Sequence, residues 1–183
     1  MELTETLRTA IRTIPDFPKP GISFKDVTPL FQDPLLVRRC VNEILSVFPP
    51  DSFDTVGGIE ARGLILGTLI AHTSDRPFFP FRKPGKLPWK TLREPYQLEY
   101  GKNALEMHAD AFPAGGRVLI VDDLLATGGT AGAASRLVLR GGGQITGLAF
   151  LVELSYLPGR SKLNVEGLPD EKIFSLIRFG LGE

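Results

Sequence analysis

The sequence has a single cysteine, Cys40, so no intramolecular disulfide can form and the chain suits a reducing compartment; a cytoplasmic location is expected. The apolar spacing around Cys40 places it on a buried helix face and not at a reactive centre. Histidine is almost as scarce: His72 and His108 lie far apart, without metal-ligand spacing, which disfavours a zinc site. No charge of one sign dominates, with 21 Lys and Arg against 21 Asp and Glu. A broad basic surface for nucleic acid is therefore not expected. No apolar run approaches the roughly 20 residues that span a bilayer. No basic-then-apolar stretch near residue 1 reads as a secretory signal. Membranes and nucleic acids are thus not expected partners. Repeats and low-complexity segments are also lacking.

What remains is a chain of 183 residues, 43% hydrophobic and 23% charged, which predicts one globular domain over 1–183 with a sizeable core. Residues 2–13 have helical spacing that extends through Leu7, Ala10, Ile11 and Ile14. Residues 14–34 pack several prolines among Phe17, Ile22, Phe24, Val27 and Leu30, which predicts a stiff apolar hood, neither helix nor central strand. Asp33 and Pro34 then open a helix as N-cap and first-turn residue. Strands are expected at 55–59, 77–83, 117–123, 144–154 and 173–179. Helices are expected at 62–73 and from Thr130 to the glycines at 141–143. "QLEYG" and "ALEMHADA" alternate like a hairpin. Residues 84–96, with the only tryptophan, Trp89, read as irregular, and a flexible loop is expected at about 84–100. Aliphatic strands alternating with helices predict an α/β fold, a central mostly parallel twisted sheet flanked by helices.

The strongest local signal is "VLIVDDLLATGGT" at 118–130. A greasy strand ends in Asp122 and Asp123, and a small-residue turn, Ala126, Thr127, Gly128, Gly129 and Thr130, leads into a helix. Ligands on open α/β sheets collect beyond the carboxyl ends of the strands. Bare peptide N–H groups and a helix N-terminus suit a phosphate. The turn lacks the lysine of a Walker loop, which disfavours a simple NTPase. The two acids suit the vicinal hydroxyls of a ribose, or a magnesium ion held through water.

This stretch is similar to the phosphoribosyl-diphosphate signature of the type I phosphoribosyltransferases. "IPDFPKPGISFKDVTPLFQDP" at 14–34, "GIEARG" at 58–63, "FRKPGKLP" at 81–88, "LEYGK" at 98–102 and "LVELSYLPGR" at 151–160 resemble the branch of that family that acts on adenine. The resemblance implies the type I fold with a small N-terminal hood and a catalytic loop. It also implies transfer of the 5-phosphoribosyl group of phosphoribosyl diphosphate to adenine, giving AMP and pyrophosphate. Magnesium would be bound mainly through the substrate's pyrophosphate, with no direct protein ligand, and the enzyme would be a homodimer.

Residue roles follow from the same resemblance. Asp122 and Asp123 hold the ribose hydroxyls, and residues 126–130 wrap the 5′-phosphate. Arg62, with backbone amides of Glu60 and Ala61, grips pyrophosphate; Ala61 stands where some members have Ser. Arg82, Lys83 and Lys86 add positive charge. Glu99 handles the proton of the attacking base, and Tyr100 is a loop residue near the reacting groups; Glu106 is a weaker alternative carboxylate. Phe24 stacks on the purine while backbone at Ser23 and Lys25 reads its edge; some members have Arg in place of Lys25. Preference for adenine over guanine rests on the resemblance alone. Phosphoribosyltransferases for orotate, xanthine or hypoxanthine are the nearest alternatives. A ligand-sensing regulator would need a nucleic-acid surface that the charge balance does not supply.

Overall fold

The computed structural model describes residues 2–98, 101–165 and 167–183. In chain order the elements are α1 (Leu3–Ala10), β1 (Arg12–Ile14), β2 (Phe24–Asp26), α2 (Pro34–Val47), β3 (Thr55–Ile59), α3 (Arg62–Thr73) and β4 (Phe78–Phe81). These are followed by β5 (Thr91–Leu98), β6 (Gly101–His108), β7 (Arg117–Leu125), α4 (Gly129–Arg140), β8 (Gln144–Leu154), α5 (Gly159–Val165) and β9 (Ile173–Phe179). Five strands make a wholly parallel sheet in the order β4-β3-β7-β8-β9.

β7 shows why that sheet is covered twice. Leu119 and Val121 enter a core shared with Leu7, Cys40, Ile44, Leu66 and Ile70 of α1, α2 and α3. Val118 and Ile120 enter another, shared with Ala134 and Leu137 of α4 and Leu105 and Met107 of β6. A strand greasy on both faces needs cover on both, which is what a parallel sheet with flanking helices provides. Cys40 is fully buried in the first core, as its spacing predicts.

Local chemistry sets the element ends. The Asp33 carboxylate accepts from the amides of Leu35 (2.9 Å) and Leu36 (3.1 Å), capping α2 at Pro34. α3 lies directly on β3: a Cβ at Gly58 would come within 2.8 Å of the Gly63 carbonyl oxygen. Bare backbones therefore let Arg62 start a helix right at the strand's carboxyl end.

The hood is an antiparallel ribbon, β1 against β2, with Thr13 opposite Lys25 and Ile14 opposite Phe24. This corrects the predicted helix 2–13. It stops at Ala10, and Ile14, which the helical spacing included, is in a strand; the following Pro15 biases Ile14 to extended backbone. The irregular stretch is also shorter than predicted, because β5 begins at Thr91 and pairs with β6 from Thr91–His108 through Leu98–Gly101. β7 runs two residues beyond Asp123, so the acid pair is held within a strand. α5 was not predicted.

Candidate active site

Because the five strands are parallel, their carboxyl ends, Ile59, Phe81, Leu125, Leu154 and Phe179, share one edge. Glu60 to Arg62 follow β3, Arg82 and Lys83 follow β4, and the acid pair and its loop come from β7. Segment 154–157 comes from the end of β8.

Asp122 and Asp123 are both buried, and Asp122 Oδ1 accepts from the Asp123 amide at 2.9 Å. Burial pushes the Asp122 carboxyl well above its usual range and the Asp123 charge pushes it further; Arg62 opposes both. Arg62 Nη2 lies 2.8 Å from Asp123 Oδ2. The approach is off-axis: that buried oxygen has no aligned hydrogen-bond donor among the described residues. Arg62 Cζ also sits 5.5 Å from the centre of the Phe24 ring. Arg62, predicted at the pyrophosphate, therefore bridges the acid pair and the hood. α3 packs so closely here that a Cβ at Gly63 would fall 2.8 Å from Asp122 Oδ1.

The predicted phosphate turn leaves β7 and enters α4 through Gly128, whose φ of 76° is left-handed. Among the described residues no side chain caps the first turn of α4, so its leading N–H groups have no intrahelical or capping partner there. Gly128 also touches backbone from elsewhere: a Cβ there would be 2.7 Å from the Gly159 oxygen.

The cations of the β4 end are organised by Glu60. Its Oε2 takes Arg82 Nε at 2.5 Å and the Lys83 amide at 3.0 Å. Burial raises the Glu60 pKa, but these donors outweigh it and the net direction is down. The Glu60 amide, expected to help bind pyrophosphate, instead donates to the Phe81 carbonyl at 3.0 Å. Lys86 is exposed in the following turn. Glu106, the weaker alternative carboxylate, accepts from the Gly85 amide at 3.0 Å and so holds the root of that turn. Glu99 and Tyr100 lie outside the described residues, between β5 and β6.

A cavity of about 460 Å³ opens between the hood and the sheet edge. Gly21, Ile22, Ser23, Phe24 and Lys25 line one side; Leu124, Ala126, Thr127, Leu154, Tyr156 and Leu157 line the other. The structure thus brings the predicted base-binding residues against the predicted phosphate turn. Phe24 is braced edge-on by Phe17 at 5.1 Å between ring centres. The Lys25 ammonium is bonded to Thr13 Oγ1 (2.8 Å) and the Glu183 main-chain oxygen (2.5 Å), so it is the backbone of Lys25 that remains to face a ligand. Leu124, Leu154, Tyr156 and Leu157 were not singled out from sequence. The only signal for the last three was that they fall in "LVELSYLPGR".

Among the described residues no cluster of three or more His, Cys, Asp or Glu could hold a metal. Two hard-oxygen acids, one oxygen without an aligned donor among the described residues, fit a divalent ion that they would hold through water, its direct ligands coming from substrate and water.

The family model for the phosphoribosyl transferase domain matches residues 34–174, from the start of α2 into β9. The chain is thus a member of the phosphoribosyl transferase family. Its relatives match the hood as well. Adenine phosphoribosyltransferase of Anaeromyxobacter dehalogenans is 49% identical over 177 residues, which cover 97% of this chain and 100% of that protein. The crystal structure of adenine phosphoribosyltransferase from Rhodothermus marinus matches with a TM-score of 0.88 at 50% identity, covering 97% of this chain and 98% of that one. The Saccharomyces cerevisiae enzyme, crystallised with adenine and an imino-altritol bisphosphate, matches with a TM-score of 0.87 at 37% identity, over 95% and 98% of the two chains. Within its family the chain belongs with the adenine phosphoribosyltransferases.

Proposed function

We propose that the chain transfers the 5-phosphoribosyl group of phosphoribosyl diphosphate to adenine, releasing AMP and pyrophosphate, in purine salvage. The observation that carries this reading is the continuity of the hood cavity with the turn at Ala126 and Thr127, beside the acid pair. A base under Phe24 and a 5′-phosphate on the turn can then belong to one nucleotide.

In this reading Asp122 and Asp123 accept from the ribose hydroxyls, and the amides of 126–130 surround the phosphate. Arg62, Arg82, Lys83 and Lys86 face the pyrophosphate. Arg62 and Arg82 are held by Asp123 and Glu60 in the free protein and exchange those partners for substrate oxygens. Phe24 stacks on adenine while the backbone of Ser23 and Lys25 bonds its edge. The bond from ribose C1 to pyrophosphate oxygen breaks as the bond to the base nitrogen forms; the nitrogen's proton passes to Glu99 and the electron pair leaves with pyrophosphate. Positioning and stabilisation of the leaving charge lower the barrier. Tyr100 lies near the reacting groups, as the resemblance implies. Asp122 and Asp123 would hold a magnesium ion through water, and the ion, carried mainly by the substrate's pyrophosphate, would supply screening of that charge. The chain acts in the cytoplasm as a homodimer.

The test is a pyrophosphate-release assay with adenine, guanine, hypoxanthine and orotate, each with phosphoribosyl diphosphate and magnesium. Release with adenine alone is expected, and release with another base in preference to adenine would overturn the reading. Asp123→Asn and Glu99→Gln are each expected to lower turnover by about 100-fold or more. A Glu99→Gln enzyme near wild type would remove Glu99 from the proton step.

A further inference from the structure

The stretch "LVELSYLPGR" has no role in the chemistry above, yet it touches both halves of the site. Leu154, Tyr156 and Leu157 line the base cavity. Two residues on, Gly159 lies against the phosphate turn: a Cβ built on it would sit 2.2 Å from the Ala126 carbonyl oxygen. Backbone therefore meets backbone, and any displacement of 154–159 moves the wall of the cavity and the floor of the turn together.

Both ends of this stretch are fastened. Ser155 N donates to the Phe179 carbonyl at 2.9 Å. Arg160 grips Glu153 with two parallel bonds, Nε to Oε1 at 2.8 Å and Nη2 to Oε2 at 2.7 Å. The same guanidinium donates to the Ile173 carbonyl at 3.0 Å. Glu153, 4% exposed, also accepts from Ser175 Oγ at 2.8 Å and has Arg178 Nε at 3.1 Å. The pair thus spans the two ends of the 154–159 stretch and ties it down to β9.

We propose that Glu153 and Arg160 are a positioning pair: their bidentate bond holds segment 154–159 as one wall shared by the base cavity and the phosphate turn. Neither residue lines the cavity, so they act through Leu154, Tyr156, Leu157 and Gly159 and not on the reacting atoms. The inference rests on the reading of residues 126–130 as the phosphate cradle.

A lysine at 160 keeps the charge but lacks the planar fork. Arg160→Lys is therefore expected to weaken ribose 5-phosphate binding and raise the KM for adenine together, each by about fivefold or more, as misplaced site walls do. The fall in kcat at saturation is expected to be smaller. Glu153→Gln with Arg160→Met keeps the volume without buried charge, and is expected to fold and to show the same paired loss. Gly159→Ala is expected to weaken ribose 5-phosphate binding more than it raises the KM for adenine. A merely structural bolt would lower the melting temperature and leave both constants at the wild-type value in the folded protein; that result overturns the proposal. If the wild-type protein itself fails to bind ribose 5-phosphate, the cradle reading falls and the pair's role with it. Normal binding in wild type and variants alike removes only the pair's role.

Discussion

Asp122 is placed where two effects act in the same direction. Burial removes water from its carboxyl, and Asp123 sets a second negative charge beside it; Arg62 opposes them without cancelling them. The folded protein therefore holds this proton more tightly than the unfolded chain does. Stability falls as pH rises from the unfolded carboxyl value of about 4 through the raised folded value. An amide has no proton to lose there. Asp122→Asn should accordingly melt at a higher temperature than wild type at pH 8, with the gain shrinking towards pH 4, while its affinity for phosphoribosyl diphosphate drops. Melting curves at the two pH values check the sign, and a variant no more stable than wild type at pH 8 contradicts it. Asp123 contrasts with its neighbour: the Arg62 guanidinium lies 2.8 Å from its buried Oδ2. One strand end thus carries a carboxyl whose ionisation opposes folding and another that faces a cation.

At the level of elements, the proposed phosphate turn depends on Gly128 twice. Its φ of 76° lies where a side chain costs about 1–2 kcal/mol. Its missing Cβ also makes room for the Gly159 oxygen, backbone that cannot swing aside. Gly128→Ala should abolish ribose 5-phosphate binding in a calorimetric titration while the far-ultraviolet spectrum keeps its helical signal; retained affinity would mean the turn is not the cradle. The turn itself was legible, because an aliphatic run that breaks into two acids and then small residues is a local pattern. So were β3, α3, β8 and β9, whose apolar runs coincide with the elements. β1 was not: Arg12–Ile14 is three residues long, and its strand character comes from pairing with Phe24–Asp26. β5 was hidden by the residues before it and by Pro95, and its order comes from the partner strand. The part of the site built by Tyr156, Leu157 and Gly159 was illegible for the same reason. Its meaning lies in contacts with residues about thirty positions earlier and, further off, with the hood.

Across the whole molecule, the hood is anchored to the opposite end of the chain. Glu183 pairs with Arg8 of α1 at 2.9 Å and accepts from the Gly180 amide through its other oxygen. Its main-chain oxygen takes the Lys25 ammonium, which also lies 4.4 Å from the centre of the Phe179 ring. Burial lowers the Lys25 pKa, the Glu183 charge raises it, and burial prevails. A cation is tolerated there only because its donors are taken up. Lys25 follows Phe24 directly, so this anchor fixes the height of the Phe24 ring at the cavity. The Lys25 ammonium is taken up by Thr13 and Glu183 and has no bond to the 126–130 turn among the described residues. Lys25→Met should therefore raise the KM for adenine several-fold, about what one misplaced contact costs, and leave the KM for phosphoribosyl diphosphate near wild type. Glu183→Ala loosens the same anchor from its other side, since the side chain that folds residues 180–183 back is gone. The two changes break one linkage, so the double variant should raise the adenine KM no further than the worse single variant. Effects that multiply, or a rise shared equally by both substrates, would show that Lys25 supports the fold at large and not the position of Phe24.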